Sequence, residues 1–253
     1  MNDSPSVSPD SAPAVALVTG ASSGIGRAIA LALADRGAAL HLVGRRPEAL
    51  EAVAEAARGR AASVVCYRAD LSLDADIQSL GQSLHRELDR LDVLVHGAGI
   101  IAPGPMVEVT PADFELQYRT NLRAPFFLTQ LLLPMLQKAC GQVVFINSSA
   151  GLVAKANVGP YAATKHALKA VADSLREEVN RAGVRVLTVY AGRTATPMRA
   201  AIHEREGQPY APEQLLQPED VATTVIAALS LPRTAEVTDI SIRPMIGPES
   251  KGG

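Results

Sequence analysis

Cysteine is scarce in this chain, and neither sign of charge is in excess. Only Cys66 and Cys140 occur among 253 residues, a count that predicts two reduced cysteines without a redox or metal role, so no metal site is expected. Lys and Arg number 24 against 26 for Asp and Glu, and there is no basic run that could follow a phosphate backbone. Nucleic acid is therefore not an expected partner.

Long apolar runs are also missing. The longest, Leu128 to Leu136, is interrupted by Thr129, Gln130 and Pro134 and is far shorter than the ~20 residues that a membrane-spanning helix needs. Residues 1–13 are rich in Ser, Pro and Asp and lack the basic segment and apolar core of a secretory signal. We expect a disordered N-terminal tail, no membrane association and a cytoplasmic location.

What the chain does contain is a regular alternation of short apolar runs and longer segments of helical periodicity. Such alternation indicates βαβ units and a parallel sheet covered on both faces. We therefore predict an α/β fold over residues 14–253, a single-domain Rossmann-type doubly wound sheet of about seven parallel strands with helices on both faces. The predicted strands are Val15 to Thr19, Ala39 to Val43, Ser63 to Tyr67, Val93 to His96, Val143 to Asn147, Val184 to Val189 and Val237 to Ile242. The predicted helices are Gly26 to Arg36, Pro47 to Arg58, Asp74 to Asp89, Pro111 to Leu136, Pro160 to Arg181 and Pro218 to Leu229.

A glycine-rich turn follows the first predicted strand. Gly20 allows a sharp turn, Gly24 allows backbone to approach a pyrophosphate, and Gly26 allows the next helix to pack on the sheet. The free N–H groups and the dipole of that helix suit an anion. The alternative is a plain strand–turn–helix corner. The other predicted cofactor contacts of this turn are Ser22, Ser23 and Ile25.

A tyrosine and a lysine stand four residues apart in a predicted helix. At this spacing Tyr161 and Lys165 share one helix face, so the ammonium can lie beneath the phenol and stabilise its anion. Bringing a phenol from a pKa near 10 to within reach of pH 7 needs about 3 units, or roughly 4 kcal/mol. Ser148 precedes Tyr161 by thirteen residues, at the end of a predicted strand, where its hydroxyl can bond a substrate oxygen.

The turn, the serine and the Tyr–Lys pair, in this order and spacing, resemble the short-chain dehydrogenase/reductase family over about residues 14–245. The marks of that family are a TGxxxGxG turn, a catalytic Ser and YxxxK. The resemblance implies that Ser148, Tyr161 and Lys165 are catalytic, and the spacing to Tyr161 together with Gly151 favours Ser148 over Ser149. It also implies Asn121 as a fourth catalytic residue, holding a water that connects Lys165 to solvent.

The implied activity is that of an NAD(P)-dependent oxidoreductase acting on CH–OH and C=O groups. In the reductive direction, the nicotinamide delivers hydride to a carbonyl carbon, Ser148 polarises the oxygen and Tyr161 donates the proton. Oxidation of an alcohol reverses these steps. Orientation and electrostatics come from the protein, and the hydride chemistry from the cofactor.

The end of the second predicted strand indicates which nicotinamide cofactor is preferred. Gly44 stands where NAD-preferring relatives carry Asp, which would accept from the ribose 2′-hydroxyl, and Arg45 follows it with a guanidinium suited to a 2′-phosphate. We therefore expect NADP(H) to be favoured over NAD(H). Arg46 is a further candidate contact, or else a solvated charge.

The remaining implied cofactor contacts are spread over three strand ends. Two of the stretches depart from the family pattern, since His96-Gly97-Ala98-Gly99 replaces Asn-Asn-Ala-Gly and Ala191 replaces Pro ahead of Gly192. His96 and Gly97 lack the two side-chain amides of the family's Asn-Asn, and we expect this loss to weaken the bracing of the central sheet. We expect His96 to be structural rather than a catalytic base. The contacts are Asp70, Leu71, Gly97, Ala98, Gly99, Gly192, Thr194 and Thr196, together with Tyr161 and Lys165.

The expected partners are a small-molecule carbonyl or alcohol substrate and further copies of the chain. Residues 192–217 have no long periodic face, and the resemblance implies that they cover the substrate. The family commonly forms homotetramers or homodimers through the two long predicted helices. Hydrophobic bulk in the substrate is indicated by apolar residues of the surrounding loops, namely Ile100, Ile101, Met106, Leu152, Val153, Val158, Met198 and Ile202.

Two other functions remain as alternatives. One is a sensor or scaffold that binds NADP without turnover; such proteins typically lose Tyr or Lys, and both are present here. The other is dehalogenase or epimerase chemistry on the same fold, which the intact Lys165 disfavours.

Overall fold

The computed structural model describes residues 12–246 of the chain. Residues 1–11 of the expected N-terminal tail, and residues 247–253 of the predicted domain, lie outside the described residues. Seven parallel strands form one sheet, which confirms the predicted fold class. They are β1 (Val15–Thr19), β2 (Ala39–Gly44), β3 (Ser63–Arg68), β4 (Val93–His96), β5 (Gln142–Ser148), β6 (Arg185–Ala191) and β7 (Asp239–Ile242).

The strand order of the sheet is β3-β2-β1-β4-β5-β6-β7. The order reverses between β1 and β4, and in such sheets this reversal opens a crevice at the carboxyl ends of the strands. The α-helices that connect the strands are α1 (Gly24–Ala34), α2 (Pro47–Ala57), α3 (Asp74–Glu87), α4 (Pro111–Tyr118), α5 (Ala124–Lys138), α6 (Gly159–Val179), α7 (Pro197–Arg205) and α8 (Pro218–Leu229). Among the described residues, no helix is long and apolar enough to cross a membrane.

Helices cover both faces of the sheet and bury an apolar core on each. On one face α1, α2 and α8 pack against side chains such as Val18 and Leu40. On the other, α3, α5 and α6 pack against side chains such as Leu17 and Phe145. Because neighbouring positions of β1 point to opposite faces and both faces are buried, the strand reads as a continuous apolar run.

The long helix predicted over Pro111 to Leu136 is interrupted. A π-helical turn at Arg119–Arg123 separates α4 from α5. Such turns insert an extra residue into helical pairing and occur often at functional sites. Here the turn carries Asn121, which is buried.

Residues 192–217 contain a helix that the sequence pattern did not predict. α7 has few buried positions, among them Ile202 and His203, so its periodicity is weak. Its start could have been recognised, because Thr196 is an N-cap whose hydroxyl accepts from the Arg199 N–H and Pro197 occupies the first turn.

The two ends of this segment are joined beside the sheet. The N–H of Ala195 donates to the carbonyl of Leu216 at 2.7 Å, and the N–H of Leu216 donates to the carbonyl of Arg193 at 3.0 Å. The segment is thus anchored at both ends next to β6.

His96 ends β4 inside the core. Its ring stacks on Phe145 with centroids 5.0 Å apart, and its Nε2 lies 2.8 Å from the hydroxyl oxygen of Thr129. Burial lowers the pKa of His96 to about 3. The imidazole is therefore neutral at physiological pH and occupies a structural position.

We predict that His96→Asn makes the protein less sensitive to acid. The unfolded chain takes up a proton at His96 near pH 6.5, whereas the folded protein does so only near pH 3. Unfolding is therefore favoured as the pH falls through this window, by up to about 1.4 kcal/mol per pH unit. Urea unfolding at a series of pH values should give a shallower dependence for the variant. His85→Asn, at an exposed position of α3, is the control and should keep the wild-type slope; an unchanged slope in His96→Asn would contradict the prediction.

Candidate active site

The turn between β1 and α1 lies directly against the backbone at the end of β4. Gly20 has a φ of 66°, and a Cβ placed on it would come within 2.7 Å of the backbone of Gly97 and Ala98. A Cβ on Gly26 would collide with the carbonyl of Gly20. These contacts require glycine and leave the N-terminus of α1 open to the crevice.

The hydroxyl of Thr19 braces the same junction. It accepts from the N–H of Gly97 at 3.1 Å and of Ala98 at 3.3 Å, and it donates to the carbonyl of Val95 at 3.2 Å. The bracing that the family's two Asn side chains would give is absent at positions 96 and 97. Thr19 braces β1 against β4 here, and Thr129 holds His96.

A cavity of about 1090 Å³ opens along the carboxyl ends of the strands. Of the predicted site residues, all but Asn121 line it. The apolar loop residues expected near the substrate also line it, except Met106, which is 76% exposed. The predicted residues are therefore brought together from six segments of the chain: Gly20 to Gly26, Gly44 to Arg46, Asp70 to Leu71, Gly97 to Gly99, Ser148 to Lys165, and Gly192 to Thr196.

Tyr161 and Ser148 both line the cavity. Ser148 ends β5, and its Oγ accepts from the N–H of Ala150 at 3.1 Å. Burial raises the pKa of Tyr161, and the nearby hydroxyl of Ser148 lowers it by a smaller amount. The net shift is upward, because burial of the phenol outweighs the stabilisation of its anion by Ser148. At neutral pH the phenol therefore carries its proton.

Lys165 lies deep behind Tyr161. Its Nζ donates to the carbonyl of Ile146 at 3.0 Å and stands 5.8 Å from the centroid of the Tyr161 ring. Burial lowers the pKa of Lys165 to about 8. The ammonium is thus still mostly protonated at pH 7 and is held in place by the strand that carries Ser148.

Asn121 binds the loop that follows β4. Its side-chain amide donates to the carbonyl of Ile100 at 2.9 Å and to Thr164 Oγ1 at 3.2 Å, and its Oδ1 accepts from the N–H of Ile100 at 2.8 Å. A Cβ placed on Gly99 would lie 3.5 Å from this Oδ1 and 3.8 Å from the Nζ of Lys165. The amide and the ammonium therefore share the space beside Gly99.

The other end of the cavity carries the charges predicted to bind the adenosine half of the cofactor. Arg45 and Arg46 follow β2 and are exposed. Asp70 accepts from the N–H and the hydroxyl of Ser72, at 3.0 and 2.8 Å. Burial raises the pKa of Asp70. The hydrogen bonds from Ser72 and the charge of Arg45 together lower it by a larger amount, so the net shift is downward.

Three basic residues that line the cavity were not predicted as site residues. They are Lys155, Arg193 and Arg199. Arg193 stands inside the stretch compared with the family pattern, at a position that the pattern leaves free. Arg199 lies in α7, the helix that periodicity did not indicate. The N-cap residue Thr196 predicts the start of this helix and could have drawn attention to Arg199 in its first turn.

The chain matches known proteins along most of its length. A family model described as short chain dehydrogenase matches residues 14–207. A glycine betaine reductase from Emericella nidulans is 35% identical over 91% of this chain, which spans only 18% of that protein. The sepiapterin reductase of Chlorobaculum tepidum is 31% identical over 92% of this chain and 97% of its own length. An alcohol dehydrogenase from the archaeon Thermococcus sibiricus, complexed with 5-hydroxy-NADP, superposes with a TM-score of 0.85 at 26% identity, covering 94% of this chain and all of that one.

We predict that Gly97→Asn destabilises the protein although it restores an amide common in the family. A Cβ at this position would lie 2.7 Å from the carbonyl oxygen of Thr19, and backbone on both sides cannot yield easily. Overpacking of this kind typically costs about 1–3 kcal/mol, measurable by urea unfolding. In Gly104→Asn, the control, a Cβ meets only a side-chain methyl of Val109 at 3.4 Å, so a smaller loss is expected. Equal stability of the two variants would contradict the prediction.

Proposed function

The chain belongs to the short-chain dehydrogenase family, and we propose that it is an NADP(H)-dependent oxidoreductase that interconverts a carbonyl and an alcohol by hydride transfer. The observation that carries the proposal is the convergence of Ser148, Tyr161 and Lys165 with the glycine turn on one cavity. A phenol that shares a cavity with a dinucleotide-binding turn is placed to exchange a proton beside the nicotinamide. The names of the relatives, a sepiapterin reductase and an alcohol dehydrogenase among them, support this reaction class.

The residues around the turn fit a dinucleotide. The glycines keep side chains away from the N-terminus of α1, where free N–H groups favour a pyrophosphate. Across the crevice, a Cβ placed on Gly24 would touch the Cγ2 of Thr196 at 3.0 Å, so the turn predicted to hold the phosphates faces another predicted cofactor contact. When bound, a nicotinamide cofactor supplies or accepts the hydride.

The chain's own residues then handle the substrate oxygen and its proton. Ser148 donates a hydrogen bond to that oxygen and orients the carbonyl, and Tyr161 donates the proton as negative charge develops. Lys165 places a positive charge behind the phenol, which lowers the cost of releasing the proton. Asn121 fixes the Ile100 loop and leaves one lone pair of its Oδ1 for a water beside Lys165.

The raised pKa of Tyr161 favours reduction at neutral pH. A phenol that keeps its proton is ready to act as an acid, whereas oxidation needs it as a base. The reductive rate should therefore persist at neutral pH, and the oxidative rate should rise as the solution becomes alkaline.

The preference for NADP(H) is part of the proposal. Arg45 follows Gly44 at the end of β2, and the one acidic lining residue among those described, Asp70, is engaged by Ser72 and by the charge of Arg45. A guanidinium free of ion pairing within the described residues suits a 2′-phosphate. The 5-hydroxy-NADP complex of the Thermococcus sibiricus enzyme supports the same choice.

We also propose that the chain forms a homo-oligomer. The surface of α4 and α5 carries large apolar side chains that are 38 to 50% exposed, and this pair of elements corresponds to the long helix through which the family is expected to associate. These side chains are Phe114, Leu116, Tyr118 and Phe126.

We predict that Tyr161→Phe lowers turnover by at least about 100-fold, because a general acid typically contributes 10²–10⁴ to the rate, while NADPH still binds. The assay follows nicotinamide absorbance with a panel of ketones, diketones and aldehydes, and NADPH binding is measured by its fluorescence. Tyr118→Phe, which keeps an exposed ring outside the cavity, should retain wild-type turnover. A Tyr161→Phe enzyme of near-normal rate would refute the assignment.

The same panel of carbonyl compounds distinguishes between an enzyme and a non-catalytic NADP-binding sensor. Consumption of NADPH with any member of the panel supports the reductase. Tight NADPH binding without consumption across a broad panel would favour a sensor or scaffold. Failure to bind either nicotinamide cofactor would refute the cofactor assignment.

We predict that Arg45→Gln weakens NADPH binding about 10-fold, the equivalent of one exposed charge-assisted contact, and leaves NADH binding unchanged. Fluorescence titration with both cofactors measures the ratio. Arg68→Gln removes an exposed arginine from the end of the neighbouring strand β3 and serves as the control, with both affinities at wild-type values. A parallel loss of NADPH and NADH affinity in Arg45→Gln would contradict the role of Arg45 in cofactor choice.

A further inference from the structure

The cavity is strongly positive, although the chain as a whole has a formal net charge of −2. Within the described residues, Asp70 is the one acidic side chain that lines it. The basic side chains that line it are Arg45, Arg46, Lys155, Lys165, Arg193 and Arg199. An excess of this size in a near-neutral chain indicates that the cavity receives more than one anionic group.

These basic residues lie in separate parts of the cavity. Arg45 and Arg46 follow β2, on one side of β1, whereas Arg193 follows β6, on the other side. Four strand spacings separate β2 from β6 in the sheet, which corresponds to roughly 19 Å at about 4.8 Å per spacing. In the proposed function, the arginines after β2 and the N-terminus of α1 hold the phosphates of the cofactor. Arg193 and Arg199 lie on the β6 side of the cavity, in the segment 192–217 that covers the substrate in that function.

Arg193 and Arg199 are placed at an electrostatic cost. Burial and the nearby charge of Arg193 lower the pKa of Arg199, and Glu206 and Tyr210 offset only part of that shift. The Nε of Arg199 is buried without a hydrogen-bond partner among the described residues. Neither guanidinium forms an ion pair within residues 12–246, whereas Arg58, Arg123 and Arg176 do. Arg199 also lies in the first turn of α7, where the helix dipole disfavours a cation. An anion between the two guanidiniums would remove these costs together.

The surface next to the two arginines is apolar. Met198 and Ile202 flank Arg199 on α7 and line the same cavity. Leu152 and Val153, in the loop after β5, line it as well. A ligand that fits this part of the cavity has an apolar body with an anionic end.

We infer that the substrate is a carbonyl compound, or the corresponding alcohol, that carries an oxyanion, a carboxylate or a phosphate, bound between Arg193 and Arg199. The inference rests on the proposed function for the identity of the site and adds the substrate class. The apolar stem lies along α7, and the carbonyl reaches Ser148 and Tyr161. The two guanidiniums select acids over neutral ketones of the same length.

The first test compares matched pairs of substrates with NADPH. Straight-chain oxo acids of increasing length are each assayed against their own methyl esters, and hydroxyacetone phosphate is assayed against hydroxyacetone. For the best pair, kcat/KM for the charged member should exceed that of the neutral one by about 10- to 100-fold, since a hydrogen-bonded charge contact contributes about 1.5–3 kcal/mol. Preference within the oxo-acid pairs identifies a carboxylate, and preference within the other pair identifies a phosphate.

Variants connect this selectivity to the two arginines. Arg193→Gln and Arg199→Gln should each bring the ratio of charged to neutral substrate towards one, mainly through KM. Arg205→Gln, which removes an exposed arginine from the same helix outside the cavity, should keep the wild-type ratio. If Arg193→Gln and Arg199→Gln instead weaken NADPH binding and leave the ratio unchanged, the arginines serve the cofactor and the inference is overturned.

A binding measurement keeps the test independent of turnover. Calorimetry with hexanoate and with hexanamide, in the presence of NADP, should show binding of the acid alone and its loss in Arg199→Gln. Equal binding of acid and amide, or a ratio near one for every substrate pair, would overturn the inference even if the protein is a reductase. Absence of NADPH consumption together with selective hexanoate binding would refute the proposed reaction and still support the oxyanion site.

Discussion

Close contact between two backbone turns organises the whole crevice. The turn after β1 lies so near the turn after β4 that Gly20 and Gly97 leave no room for a Cβ. This contact occurs where the strand order of the sheet reverses, and the hydroxyl of Thr19 bridges it with three hydrogen bonds. It exposes the N-terminus of α1 to the cavity and sets the position of the Gly99–Ile100 loop, to which Asn121 is bound. The phosphate end and the proton-transfer end of the proposed site are thereby placed relative to each other.

Burial determines the protonation states in the middle of the cavity. It lowers the pKa of Lys165 to about 8 and raises that of Tyr161. Both shifts disfavour the charged form of the side chain concerned. A charge introduced nearby would therefore change the pKa of both Tyr161 and Lys165. A positively charged nicotinamide or a developing alkoxide would act on this pair in a medium that screens charge weakly. The depth at which α6 places Lys165, against the carbonyl of Ile146, therefore sets the pKa of this ammonium.

The segment from Gly192 to Gln217 controls the remaining side of the crevice. Pairing between Arg193, Ala195 and Leu216 ties its two ends next to β6, and α7 extends between them. This arrangement carries Arg199 and its apolar neighbours to the cavity wall. In the proposed function, substrate selection can thus vary through a few side chains of α7 while the sheet and the proposed proton-transfer residues stay unchanged, which accords with the general separation of scaffold and binding loops in α/β folds.

The sequence alone determined the layered fold and the principal candidates for site residues. Apolar runs alternating with helical periodicity suffice for a parallel sheet because both of its faces must be buried, and the positions of Gly20, Tyr161 and Lys165 follow from fixed spacings within single elements. Three features required the tertiary structure. The bracing by Thr19, the π turn at Asn121 and the placement of Arg193 and Arg199 on one cavity wall each depend on the packing of the folded chain or on a departure from helical periodicity. The shift in the pKa of Tyr161 depends on burial, which is a property of the packed fold and does not follow from the local spacing of Tyr161 and Lys165.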